Sequence, residues 1–206
     1  MKMNIETLPV GMLAVNCYLA WESAGRKALI IDPGDEAEEI VREVREKALI
    51  PAAILLTHAH VDHIRGVSDV AAEFGIPVLV SAEDRDLYLS PDNALMPWLP
   101  AAKDLPIPVD SLPRIEGLDY TVIHTPGHTQ GGVCYYFADD DILFSGDTLF
   151  QGSVGRTDLA GGDTEQLINS IQTKLLNLPS DTHVYPGHGN VTTIGSERIS
   201  NPYLGG

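Results

Sequence analysis

Cysteine and positive charge are both scarce in this chain. Only two cysteines, Cys17 and Cys134, occur in 206 residues, far apart and without a C-x-x-C partner. That spacing excludes a disulfide framework and a structural zinc ribbon. Free cysteine is among the most buried residue types, so both read as buried thiols. Lys and Arg number 13 against 29 Asp and Glu, a net charge of −16, which would repel nucleic acid and anionic membrane alike and so excludes both as expected partners. The opening stretch, Met1 to Leu13, has no continuous apolar run. It matches neither a signal peptide nor a membrane span, and a cytoplasmic location is expected. Low-complexity tracts and short tandem repeats are also missing.

What is present is a large apolar fraction, 44%, enough to core one globular unit spanning 1–206. Short β-like runs alternate with amphipathic segments, the pattern of a layered α/β protein. The expected strands are Asn16 to Trp21, Lys27 to Ile31, Ala52 to Leu56, Pro77 to Val80, Tyr120 to His124, Gly131 to Phe137, Ile142 to Ser145 and Thr182 to Tyr185. Ala37, Ile40, Val41, Val44 and Ala48 fall at helical spacing, which predicts a helix over 36–48 with one stripe on a sheet. A second helix is expected from Ile64 to about Phe74, and a third from Asp163 and Thr164, whose side chains can cap it, through Leu176. Between residues 90 and 113 stand six of the fourteen prolines, with Met96, Trp98 and Leu99. Proline at that density predicts an irregular arm, packed on the body or covering a substrate.

The densest chemistry lies in T-H-A-H-V-D-H, residues 57–63. His58, His60, Asp62 and His63 stand directly after an apolar strand, where burying so many polar groups is costly unless something pairs with them. A divalent metal pairs with all of them at once. In extended backbone His58, His60 and Asp62 share one side and His63 points elsewhere. This spacing favours two adjacent metals, one served by His58 and His60, the other by Asp62 and His63. Each needs further ligands from distant sequence. Three candidates follow expected strands and are preceded by glycine: His128 in T-P-G-H, Asp147 in S-G-D-T and His188 in Y-P-G-H. Glycine lets backbone approach closely or take positive φ, and loops beyond strands are where such proteins carry function. The T-P-G-H and Y-P-G-H echo suggests two halves presenting ligands to one edge.

With H-x-H-x-D-H followed downstream by H, D and H, the chain resembles the metallo-β-lactamase-fold hydrolases over essentially its whole length. The resemblance implies a four-layer αββα sandwich made of two similar halves. It also implies two divalent metal ions, zinc first, with iron or manganese as the other candidates. One would take His58, His60 and His128, the other Asp62, His63 and His188, with Asp147 bridging. Residues 146–163 and 186–204 look like the short type II glyoxalases (hydroxyacylglutathione hydrolases). The larger members of that group carry a C-terminal helical domain that helps hold glutathione, and none is expected here. Arg156 matches the basic position that contacts the glutathione moiety, although it could equally hold its loop through an ion pair with Asp158 or Asp163. The larger enzymes place a tyrosine where Asp158 stands.

The implied activity is hydrolysis of a small thioester or ester, with S-acylglutathione such as lactoylglutathione as first substrate. Coordination lowers the pKa of water from about 15.7 to roughly 7, and Asp62 could orient the nucleophile or take its proton. A thiolate leaving group, whose conjugate acid has a pKa of about 8.5, needs little acid catalysis. A second reading is a persulfide dioxygenase using one iron on His58, His128 and Asp147. Lactone hydrolysis and a non-catalytic binding module are weaker alternatives. His124 and His183 read as structural or supporting residues, His124 the better supporting candidate because it precedes the His128 turn. Ser153 has no G-x-S-x-G elbow and is no nucleophile. Oligomeric state is not legible.

Overall fold

The computed structural model describes residues 3–205; Met1 and Lys2 of the opening stretch read above lie outside them. Two compact units divide the chain, 1–119 and 120–206. In the first, five strands are ordered β1 (Met3–Val10), β2 (Val15–Glu22), β3 (Lys27–Ile31), β4 (Ile50–Leu55) and β5 (Val78–Leu79) across one sheet. β1, β2 and β3 form an antiparallel meander, and β4 and β5 add parallel to β3. The crossover to β4 is helix α1 (Ala37–Glu46), followed beyond the strand by α2 (Val61–Ile64), α3 (Val67–Phe74) and the short α4 (Arg85–Leu89). Ile40 and Val44 of α1 and Val67, Val70 and Ala71 of α3 are buried in one cluster with Cys17, Leu19, Ala28, Ile30 and Ile54 of the sheet. Each buried Ile or Val stabilises the unit by about 2 kcal/mol. The acids Glu38 and Glu39 open α1 and Arg45 closes it, the arrangement that complements a helix dipole.

The second unit repeats that plan. β6 (Thr121–His124), β7 (Val133–Phe137) and β8 (Ile142–Gly146) are an antiparallel meander, and β11 (His183–Pro186) then joins parallel to β8. The intervening chain holds the hairpin β9 (Leu149–Phe150) and β10 (Ser153–Val154), then α5 (Thr164–Ser170), which runs on as a π-helical turn, Ile171–Leu175. β12 (Thr192–Thr193) closes the sheet and α6 (Ile194–Ser200) follows. Leu167, Ile171 and Leu175 bury one stripe with Cys134, Leu143 and Val184 of the sheet. The opposite face is aromatic, with Phe137, Phe144, Tyr120, Tyr135 and Tyr185 in ring contact. Three antiparallel strands, a helical crossover and a fourth, parallel strand recur in both units, as two similar halves require. Among the described residues, no helix is long and apolar enough to cross a membrane.

The expected strands are all found, with no end moved by more than two residues and Lys27–Ile31 unchanged. Sequence reading passes over the two-residue strands β9, β10 and β12, and also the long β1. Its Asn4, Glu6, Thr7 and Pro9 give it a polar, interrupted look, yet all eight residues pair with β2. An edge position tolerates both the polar side chains and the proline. The helix expected from Ile64 to Phe74 is instead two, broken at Gly66, whose N–H donates to the carbonyl of Pro33 (2.9 Å). A Cβ there would lie 2.8 Å from that same oxygen. Asp163 caps α5 as expected, accepting from Gln166 N (2.9 Å).

The proline-rich arm carries one 3-10 turn, Pro91–Asn93, and is otherwise irregular. It is tied down all the same. Buried Asn93 donates to the Tyr88 and Ser90 carbonyls and accepts from Ala102 N, Tyr88 donates to Pro106 O, and Arg85 binds Asp110.

Both cysteines are free and fully buried. Burial pushes the Cys134 thiol up to about 11 and that of Cys17 well above its ordinary value, the latter raised further by the Asp32 carboxylate. A thiol is reactive only as thiolate. A disulfide reagent such as Ellman's should therefore modify neither cysteine in the native protein and both in denaturant; rapid native labelling would contradict the packing described.

Candidate metal centre

In the first unit the ligand-capable residues gather beyond the C-terminal end of β4. His58 and His60 follow the strand in irregular backbone, and His60, still extended (φ −71°, ψ 147°), begins α2. Asp62 and His63 lie in the first turn of that helix, so the strand alternation expected to carry through Asp62 stops at His60. The helical turn brings the four side chains together. The His58 and His60 rings meet edge to face at 4.9 Å, and those of His58 and His63 lie 4.1 Å apart. Asp62 Oδ2 is 3.8 Å from His63 Nε2. All four residues are buried.

One carboxylate organises this group, and sequence reading passed over it. Asp32 directly follows β3, is 2% exposed and has φ 51°, a left-handed conformation that aspartate tolerates better than most residues. Its Oδ1 accepts from Thr57 N (2.8 Å), and its Oδ2 accepts from the Thr57 hydroxyl (2.6 Å) and from His63 Nδ1 (2.9 Å). Because the Thr57 proton points to Asp32, the Thr57 oxygen is left to accept from His58 Nδ1 at 3.1 Å. Two histidines are thus held with Nδ1 protonated and Nε2 presenting its lone pair, the state a metal ligand needs. Buried Asp84 supports the intervening backbone, accepting from Ala59 N (3.1 Å). Gly34 makes the closest approach: a Cβ there would lie 1.8 Å from the Asp62 carbonyl oxygen. The signal for Asp32 was available, since I-I-D-P-G repeats the apolar strand, acid and glycine context of Asp147.

In the second unit three strands running the same way, β6, β8 and β11, end next to His128, Asp147 and His188. Asp147 Oδ2 lies 3.7 Å from His128 Nε2 and 3.7 Å from His188 Nε2. His128 Nδ1 donates to the Arg156 carbonyl (2.7 Å), and a carbonyl can only accept, so Nε2 again carries the lone pair. Gly146 takes φ 49°, almost the value of Asp32 at the corresponding strand end. Gly155 repeats the role of Gly34, since a Cβ there would lie 1.8 Å from the Asp147 carbonyl oxygen. A Thr125–Thr148 hydroxyl hydrogen bond (3.0 Å) joins the T-P-G-H and G-D-T turns. His188 is the most open candidate ligand, its side chain 27% exposed against 0% for His63.

The other residues singled out from sequence divide. His124 Nε2 donates to the Gln130 carbonyl (3.0 Å), closing the turn that carries His128, whereas His183 is exposed on β11. The side chain of Arg156 forks onto Asp158 through Nε and Nη2 (2.7 and 2.8 Å), while its carbonyl orients His128. That guanidinium pulls the Asp158 carboxyl down to about 2. Both side chains are well exposed, so the pair adds little to stability. Asp158 therefore fills the tethering role that the sequence left open between it and Asp163.

At the strand ends the imidazoles and carboxylates of the first unit are buried and those of the second buried or half-buried, and three of the histidines are already in the ligating tautomer. Such a donor set suits divalent zinc, iron or manganese. A family model described as the metallo-beta-lactamase superfamily matches residues 10–188. Hydroxyacylglutathione hydrolase GloC of Haemophilus influenzae is 40% identical, over 98% of this chain and 98% of that protein. Among solved structures, BLEG-1 B3 metallo-beta-lactamase superposes with a TM-score of 0.88 at 41% identity, covering 98% of this chain and 100% of that one. TTHA1623, solved in a di-iron-bound form, gives 0.86 at 42%, covering 97% and 100%.

Replacing Asp32 by Asn puts an amide hydrogen against one of its present donors in either orientation. With the nitrogen at the Oδ2 position, which spares the Thr57 N–H, His63 keeps its bond only by reversing its tautomer, and Nε2 is lost as a metal-binding atom; with the nitrogen at the Oδ1 position, the Thr57 N–H loses its acceptor. The D32N variant should bind zinc about 10–100-fold more weakly in competition with a chromophoric chelator. Wild-type affinity would remove Asp32 from the design of the site.

Proposed function

The chain belongs to the metallo-β-lactamase superfamily, and from that premise we propose that it is a dinuclear metallohydrolase of small thioesters, with S-acylglutathione as the substrate class. The observation that carries this reading is the complete donor set, His58, His60, Asp62, His63, His128, Asp147 and His188, with Nδ1 of His58, His63 and His128 each directed to a hydrogen-bond partner. The GloC relative, a hydroxyacylglutathione hydrolase at 40% identity, supports the substrate class.

His58, His60 and His128 would hold one divalent cation, Asp62, His63 and His188 the other, and Asp147 would serve both. Divalent cations bound there would supply a nucleophile near neutral pH by lowering the pKa of water to roughly 7, and would polarise the acyl carbonyl. The residues do the remaining work. Asp62, fixed in the first turn of α2, orients the nucleophile and can take up its proton. The Asp32 and Thr57 relay keeps two ligands from turning over to the wrong tautomer. Arg156, on an exposed loop in a chain of net charge −16, offers a cation to a carboxylate of the glutathione moiety, exchanging Asp158 for substrate. The thiolate product leaves without an acid, since its conjugate acid has a pKa of about 8.5. Two buried free thiols suit a reducing, cytoplasmic setting.

Lactoylglutathione hydrolysis should disappear with a chelator and return with zinc, iron or manganese. Activity indifferent to chelator would refute the proposal, and oxygen uptake with glutathione persulfide on one iron per chain would replace it by the dioxygenase reading. In the same assay Arg156→Ala should lower kcat/KM about tenfold or more, mainly through KM, as expected for loss of a charge-assisted hydrogen bond. Unchanged kinetics would return Arg156 to a purely structural part.

A further inference from the structure

Glu197 of α6 is a carboxylate only 1% exposed. Its oxygens accept from three neutral donors: Oε1 from the Thr192 hydroxyl (2.6 Å), and Oε2 from Gly152 N (2.9 Å) and Asn201 Nδ2 (2.8 Å). Asn201 spends the other hydrogen of that amide on the Ser153 carbonyl (3.0 Å) and accepts from Tyr203 N with its own oxygen. Burying a carboxylate costs several kcal/mol unless its lone pairs are satisfied, so a side chain of this kind is an expensive way merely to fill space. What it grips is the tip of the β9–β10 hairpin, at the N–H of residue 152 and, through Asn201, the carbonyl of residue 153.

That hairpin cannot hold itself. It has only two residue pairs, Ser153 with Phe150 and Val154 with Leu149, and two short strands alone are marginal at best. Yet it lies between two candidate ligands. Phe150 packs its ring 6.4 Å from that of His188, and Gln151 accepts from Asn190 (3.2 Å), two residues beyond that histidine. On its other side β10 runs through Gly155 into Arg156, whose carbonyl orients His128.

We propose that Glu197 is a positioning residue for the metal centre, acting through Gly152 and Asn201 to fix the hairpin that orients His128 and His188. The inference rests on the reading of those histidines as ligands, and not on the thioester substrate. It also specifies which replacement the site accepts. Gln at 197 can place its oxygen where Oε2 lies, keeping Gly152 and Asn201, while its NH2 donates to Thr192, whose hydroxyl reverses to accept. Asp keeps the charge but withdraws it by one methylene from the hairpin.

The test is zinc affinity of the full chain, by competition with a chromophoric chelator at a temperature where each variant is folded by circular dichroism. Glu197→Ala and Glu197→Asp should bind about tenfold more weakly, the lower end for loss of a supporting partner, and Glu197→Gln should bind as the wild type does. Nitrogen NMR of the metal-free proteins should show His128 losing its fixed Nδ1–H tautomer in Glu197→Ala and Glu197→Asp and keeping it in Glu197→Gln. Should Glu197→Ala not fold, the contrast between Asp and Gln decides, because a role resting on buried charge alone predicts the reverse order. Asn93→Ala, a buried substitution in the proline-rich arm, should lower the melting temperature and leave zinc affinity unchanged. Wild-type affinity in Glu197→Asp, or equal weakening in Asn93→Ala, would overturn the proposal. A wild type that binds zinc but cleaves no thioester would defeat the substrate assignment and leave this inference standing; a wild type that binds no zinc would defeat both.

Discussion

The Asp32 carboxylate is the point from which the front edge of the first sheet is hung. It receives a backbone N–H, a hydroxyl and an imidazole N–H within 2.9 Å, and every donor it takes belongs either to a candidate ligand or to the residue before one. A buried carboxylate without such donors would be prohibitively costly. A buried imidazole without a fixed partner could take either tautomer, and only one of them offers the donor atom a metal needs. The two burdens offset one another: the acid is satisfied by the groups it must orient. Its left-handed backbone, φ 51°, turns the chain at the end of β3, where Pro33 and Gly34 then pass against Gly66 and Asp62.

The second unit reaches a comparable result with different side chains at matching places. Gly146 supplies the left-handed turn after β8, and Asp147 then faces His128 and His188 directly instead of standing behind them. Orientation of His128 falls to a backbone carbonyl, that of Arg156, so the geometry of the loop replaces the chemistry of a side chain. This explains why Gly155 is needed there, as Gly34 is in the first unit: both lie against the carbonyl of a candidate ligand where a Cβ has no room. It also explains why a short hairpin requires an outside clamp in the second unit and no equivalent device is needed in the first. A carboxylate carries its own directional strength, whereas a carbonyl is only as well placed as the chain that bears it.

Much of this was legible before any coordinates. The apolar runs of β3, β4, β7 and β8 announce themselves because strands covered on both faces need no alternation. The seven ligand candidates stood out because histidine and aspartate crowded beyond a strand, as in 57–63, or set there behind a glycine, as at 128, 147 and 188, have few other uses. Residues that serve those ligands were harder to read. Asp32, Thr57 and Asp84 are ordinary polar residues until tertiary contacts bring them to His58, Ala59 and His63. Asp62 joins His63 by a route that strand alternation does not predict, because alternation ends at His60 and a helical turn takes over. β1 was passed over because an edge strand tolerates polar residues and proline.

The sequence by itself determined the chemistry available: which atoms can ligate, that they lie beyond apolar strands, and that the chain would form a metallo-β-lactamase-like α/β fold. These are properties of local pattern and residue type, readable over a few positions. Only the tertiary structure decided which nitrogen His58, His63 and His128 present, that Arg156 pairs with Asp158 through its side chain while serving His128 through its carbonyl, and that a glutamate 45 residues beyond Gly152 holds the hairpin between two candidate ligands. The physical reason is that a hydrogen bond is a relation between two groups at a distance and an angle, and no stretch of chain contains both partners until folding has brought them together.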